Sequence, residues 1–201
     1  MSLMTATPYK INNMELKNRI IMLVMHTAFF EARAKGSPAA ITQVVGVNDE
    51  GTADSMPNVT DESFFDAEKR ITDMIHSYGT KHIVQLFHRG RNAASDKGLK
   101  PIAPSNVPSG IYRNECEVMT AEKIEETVKA FADAALKLKE IGVDAVEVSM
   151  SAGYLLSLFF SPITNLRDDE YGGDEERRMK APLDVLRAIR KAVGKDYPVI
   201  V

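Results

Sequence analysis

The chain reads as an α/β domain built around a parallel sheet, and two observations lead there. Apolar, β-rich runs alternate along the chain with amphipathic helical stretches, the signature of repeated βαβ units. With 201 residues, 44% of them hydrophobic, the sequence also has enough material for one domain with a real core. In order, the strand candidates are Ile20 to Met25, Ala39 to Val45, His82 to Phe87, Ala145 to Val148 and Pro198 to Val201. A short helical stretch, Phe29 to Gly36, separates the first two, and Gly36 before Ser37-Pro38 is the expected stop. That crossover is near the lower limit of about a dozen residues for a parallel connection. Glu62 to Tyr78 and Ala181 to Val193 fit helices. The best helix is Thr120 to Ile141, with Thr120 as N-cap and no capping-box Glu at Lys123. Its Ile124, Val128, Phe131, Ala135 and Leu138 recur at three- and four-residue steps, so one face belongs to the core. Residues 92 to 119, punctuated by Gly98, Pro101, Pro104, Pro108 and Gly110, read as a long irregular excursion of the kind that carries function.

Composition excludes several classes. The net charge is −3 and basic residues are interleaved with acidic ones, so there is no footprint for nucleic acid. No apolar run approaches the roughly 18 residues of a membrane span, and no signal pattern opens the chain, which leads to a cytoplasmic expectation. The single cysteine, Cys116, excludes an internal disulfide and a cysteine metal cluster within the chain. Asp168, Asp169 and Glu170 stand together, but adjacent residues do not face one point, and no metal site is expected there.

Three separated segments carry a stronger signal. Near the N-terminus stands Leu16-Lys17-Asn18-Arg19-Ile20, followed by the apolar Met22-Leu23-Val24-Met25. In the middle stands Val84-Gln85-Leu86-Phe87-His88-Arg89-Gly90-Arg91. Later, the strand Asp144 to Val148 leads into Gly153-Tyr154-Leu155-Leu156 and then Ser161 to Arg178, reading SPITNLRDDEYGGDEERR. In this order and spacing the chain resembles the Old Yellow Enzyme family of FMN-dependent oxidoreductases over almost its whole length.

The resemblance implies a TIM-type (β/α)8 barrel, and the present residues 1–201 correspond to a single domain holding about its first five βα units. A complete barrel typically takes about 250 residues, so the expectation is a partial barrel with two unpaired sheet edges. The resemblance further implies FMN as cofactor, NAD(P)H as reductant and a small activated alkene as substrate. Gln85 matches the glutamine that meets the pyrimidine edge of the flavin. Val24, Met25 and His26 match the segment lying against the ring, with Val24 in place of a proline and His26 where relatives have Thr or Cys. Val44 matches a small residue whose backbone meets the flavin. Tyr154 matches the proton donor, with strand-end packing as its alternative role. A buried glutamine needs partners for its amide, so either flavin or neighbouring backbone has to supply them at Gln85.

Ser149 and Ala152 depart from the family. They occupy the positions of a His-x-x-His or His-x-x-Asn pair whose side chains bind the substrate oxygen, a type of contact worth about 3 to 4 kcal/mol per donor. His88 and Arg91 match a structural, loop-anchoring element rather than catalytic groups, and Glu176 and Arg178 read as parts of an ionic staple around the DEYGG turn. Two functions therefore stand side by side: an FMN-dependent ene reductase, or a catalytically inactive remnant that assembles with another copy or with a complementing barrel half.

Overall fold

The computed structural model describes residues 4–25, 29–52, 56–93, 98–113 and 115–201. Five strands form one all-parallel sheet in sequence order: β3 (Ile21–Met25), β4 (Ala40–Gly46), β5 (Lys81–Phe87), β8 (Ala145–Val148) and β9 (Val199–Ile200). Two short pairs stand outside it, the hairpin β1 (Tyr9–Ile11) with β2 (Met14–Leu16), and β6 (Ile102–Ala103) with β7 (Glu117–Val118). The helices are α1 (Phe30–Lys35), α2 (Phe64–Ser77), α3 (Ala121–Glu140), α4 (Leu155–Phe160) and α5 (Glu175–Val193). Sequential parallel neighbours joined by helices are the first five strands of a TIM-type barrel.

Strand alternation divides the sheet into two faces. Outward, Val45, Val84, Leu86, Val146 and Val148 are buried beneath Phe131, Ala135 and Leu138 of α3 and Val185, Ile189 and Val193 of α5. Under α1 and α2, Phe30, Ala34, Ile41 and Ile75 form a second cluster. At the N-terminal ends of the strands the hairpin residues Met14 and Leu16 pack on Ala40, Ile83 and Ala145 and close the bottom of the sheet. The amphipathic spacing read for the long helix holds: Ile124, Phe131, Ala135 and Leu138 are buried, and the Thr120 side chain accepts from the backbone N of Lys123.

One outward patch is polar. The Gln43 amide donates to Glu68 Oε2 at 3.0 Å, and the Thr72 hydroxyl donates to the Glu68 carbonyl at 2.8 Å. Having spent its hydrogen, Thr72 Oγ1 accepts from His82 Nδ1 at 2.9 Å, so His82 Nε2 faces Glu68 Oε1 as a lone pair at 3.5 Å. Burial pushes the Glu68 carboxyl up to about 7 and His82 down to about 3, so both are neutral in the fold between those values.

The structure differs from the sequence expectation in three places. The last helix starts at Glu175 rather than Ala181, because Asp174 caps it by accepting from the backbone N of Arg177 and acidic residues fill its first turn. The helix stop expected at Gly36 is observed, since α1 ends at Lys35 with Gly36 as its C-cap, and the left-handed turn follows at Ser37 with φ 60°. Residues 92 to 119 hold the β6–β7 pair and are less irregular than expected. Around the DEYGG turn, Arg178 donates to the carbonyls of Phe160 and Gly173 instead of pairing with a carboxylate.

Candidate functional site

In a parallel barrel the chemistry gathers where the strands end, so the C-terminal ends of β3, β4, β5 and β8 are the place to look. Cross-strand register sets Val44, Gln85, Glu147 and Ile200 side by side on the inner face. All four are half-buried. The Gln85 amide nitrogen donates to Glu147 Oε1. Beside the flavin or backbone partner expected for that amide, the structure adds a carboxylate on the next strand, Glu147, to which the sequence analysis assigns no role. Its signal was there, since Glu147 is the one acidic residue inside the apolar run Ala145 to Val148.

Val24 is half-buried and Met25 is 54% exposed. A register shift between Met22 and Met25 sets Met25 beside Gln43 rather than beside Val44. These two therefore stand at the end of β3, in the same sheet as Gln85 but apart from its row. His26 lies outside the described residues.

Beyond β8 the chain turns sharply. Ser149 is 8% exposed and its backbone N donates to the Leu86 carbonyl at 3.0 Å. Ala152 is exposed and takes the left-handed conformation at φ 59°, which an alanine adopts at a cost of about 1 to 2 kcal/mol. Neither side chain places a strong donor at the strand end. Tyr154 is half-buried and stands edge-on to Phe87, with ring centroids 5.2 Å apart and planes at 85°.

The excursion after β5 is tied to this turn by residues that the sequence reading missed. Asn92 donates from Nδ2 to the Gly153 carbonyl at 3.2 Å and accepts at Oδ1 from the Ser109 hydroxyl at 2.6 Å. Ser109 Oγ in turn accepts from the backbone N of Ile111 and of Tyr112. Arg91 donates to the carbonyls of Val107 and Pro108, and Arg89 donates to the Tyr112 hydroxyl at 3.0 Å. His88 is buried; its Nδ1 accepts from the backbone N of Gly90 at 3.0 Å, and burial, helped by the positive charge of Lys123, pushes it down to about 3. Gly51 lies so close to the His88 ring that a Cβ there would meet ring atoms at 2.3 Å. His88 and Arg91 thus anchor loops, as the sequence reading had them. Among the described residues no group of three His, Cys, Asp or Glu side chains converges as a metal site would require. Nor is any helix among them long and apolar enough to cross a membrane.

The family model described as "NADH:flavin oxidoreductase / NADH oxidase family" matches residues 6–201. The chain belongs to this flavin oxidoreductase family. A metal reductase of Desulforamulus reducens is 40% identical over 97% of the chain, which covers 31% of that protein. Among solved structures, a 2-naphthoyl-CoA reductase in complex with 2-naphthoyl-CoA has a TM-score of 0.91 at 30% identity, covering 99% of this chain and 35% of that one. Old Yellow Enzyme from Pichia sp. AKU4542 has a TM-score of 0.87 at 28% identity, over 98% of this chain and 58% of that one. The chain spans 31% and 32% of the length of the first two curated relatives and 59% of a shorter NADPH dehydrogenase. Family members of this kind are FMN-dependent and use NAD(P)H, and the sequence-level assignment to the Old Yellow Enzyme group stands.

Proposed function

We propose that the chain forms the pyrimidine-edge side of an FMN pocket in an NAD(P)H-dependent oxidoreductase, and that its reducible substrate is a small activated alkene. One observation carries this reading: at the strand ends Gln85 presents a half-buried amide whose oxygen meets no donor among the described residues. An acceptor in that setting calls for a ligand N–H, which the imide edge of a flavin supplies. Val44, beside Gln85 in register, would pack against the ring, and Val24 and Met25 would flank it from the end of β3. FMN, when bound, supplies the chemistry of accepting a hydride from NAD(P)H and passing it on.

The chain's own part is positioning and proton delivery. Phe87 holds the Tyr154 ring edge-on, and Asn92 holds the Gly153 carbonyl one residue before it. In this reading Tyr154, held in that way, is the proton donor to the substrate carbon. General-acid contributions of this kind are worth about 10² to 10⁴ in rate. Replacing Tyr154 by Phe should lower reduction of 2-cyclohexenone by about a hundredfold or more and leave ferricyanide reduction by NAD(P)H unchanged. Equal alkene rates in the two proteins would remove Tyr154 from the reaction.

A second reading has its own support. Ser149 and Ala152 offer no strong donors to a substrate oxygen, and a 40%-identical relative is a metal reductase. In that reading electrons leave for an acceptor that needs no polarised oxygen, and alkenes are poor substrates. Restoring the pair as Ser149→His with Ala152→His should then create alkene reduction beyond what the two single changes add up to. Simple additivity would count against a shared oxygen-binding pair.

A further inference from the structure

We propose that Glu147 is the positioning residue of this site: it fixes the orientation of the Gln85 amide so that its oxygen is left unpaired for the ligand. The inference rests on the flavin reading above and deepens it. A glutamine amide has two nearly isosteric orientations, and only its neighbours choose between them. Gln85 and Glu147 are register partners on adjacent parallel strands, so their side chains leave the same face at the same height. The Glu147 carboxylate oxygen accepts from the Gln85 nitrogen. Turning the amide over would set the amide oxygen against a carboxylate oxygen, two acceptors with no hydrogen between them.

The remaining neighbours in the row give no competing choice. Val44 on one side and Ile200 on the other are apolar and cannot hydrogen-bond through their side chains. The pair is half-buried, where a charge-assisted hydrogen bond is stronger than in open water. Glu147 therefore turns an ambiguous amide into a fixed acceptor. The ligand edge that complements this oxygen carries an N–H, and an edge that is alkylated or has lost its proton binds less tightly. In a flavin this group is the imide N3–H.

Three measurements on the intact protein test this. The unliganded protein should show one hydrogen of the Gln85 side-chain amide shifted downfield in a ¹⁵N-resolved NMR spectrum, and Glu147→Gln should remove that shift. FMN should bind about tenfold more tightly than N3-methyl-FMN, the equivalent of one hydrogen bond of about 1.4 kcal/mol, and Glu147→Gln should shrink that preference several-fold. Ionisation of N3–H in bound FMN, followed by absorbance, should fall by about one pH unit in Glu147→Gln, and by much less when the same change is made in a Gln85→Ala background. An equal fall in both backgrounds would overturn the proposal, because Glu147 would then act through its charge and not through Gln85. An unshifted amide in a folded protein that binds FMN would also overturn it and leave the flavin reading standing. A shifted amide in a protein that binds no FMN would remove the flavin reading and leave the fixed amide.

Discussion

The two faces of the same five strands are built on opposite principles. Outward, Val84 and Leu86 of β5 lie under helices with no measurable exposure to solvent. Inward, their immediate neighbour Gln85 is half-buried and polar, and on β3 Leu23 is 79% exposed. Residues adjacent in sequence thus answer to different demands, the outward set to packing density and the inward set to what the mouth must hold. The comparison teaches that in this chain stability and chemistry are separable at single-residue spacing, because a strand presents its side chains to alternate faces.

The largest test breaks the outer face alone. Phe131 of α3 is fully buried in the main cluster, and Phe131→Ala should cost about 3 to 5 kcal/mol of stability in denaturant unfolding. Below its shifted midpoint the variant should still bind FMN with unchanged affinity. Weakened binding in the folded variant would mean that the two faces are coupled.

The buried titratable groups, Glu68 and His82 on the outer face and His88 at the loop after β5, provide the next test. His82 and His88 sit at about 3, below their ordinary 6.5, and Glu68 sits at about 7, above its ordinary 4.5. Between pH 4.5 and 6.5 the unfolded chain therefore binds two histidine protons that the fold excludes, while the fold binds one Glu68 proton that the unfolded chain lacks. The unfolded state holds the net excess of one proton, so stability should rise with pH across this window by about 1.4 kcal/mol per unit. From 6.5 to 7 only Glu68 still differs, the sign reverses and stability should fall, placing the maximum near pH 6.5. Glu68→Gln should steepen the acid side and abolish the fall above 6.5, which midpoints of urea unfolding across pH would read. A variant that keeps the fall would clear Glu68 of responsibility.

Smaller effects sharpen the inner side. Ala152 at φ 59° occupies a conformation that asparagine tolerates better, so Ala152→Asn should raise stability by up to about 1 kcal/mol while placing an amide donor at the strand end. A lower unfolding midpoint would show that the turn is not under strain. Gln85→Ala should cost about 1 to 2 kcal/mol of stability through the lost hydrogen bond to Glu147, and weaken FMN binding to the folded protein about tenfold, measured by flavin fluorescence. Intact FMN binding in the folded variant would make Gln85 a structural residue and invert the comparison.

Much of this was legible in the chain itself. The apolar, β-rich runs Ala39 to Val45 and His82 to Phe87, and the three- and four-residue recurrence from Ile124 to Leu138, reflect preferences that act over a few residues, so they could be read locally. The Thr120 cap was legible for the same reason. The motifs around Gln85 and Tyr154 carried the family. The early start of α5 was missed because the pair Gly172-Gly173 reads as a turn, and Asp174 becomes a cap only once the helix behind it exists.

Tertiary structure alone decided the partners. Gln85 meets Glu147 across 62 positions and Asn92 meets Gly153 across 61, distances at which no local pattern operates. Those meetings depend on strand register, and register is settled by the burial of Val84, Leu86, Val146 and Val148 on the opposite face. A one-residue slip would exchange the faces of β8 and carry Glu147 away from Gln85. The residue types were thus written in the sequence, but which acceptor faced which donor was set by the packing of the core behind them.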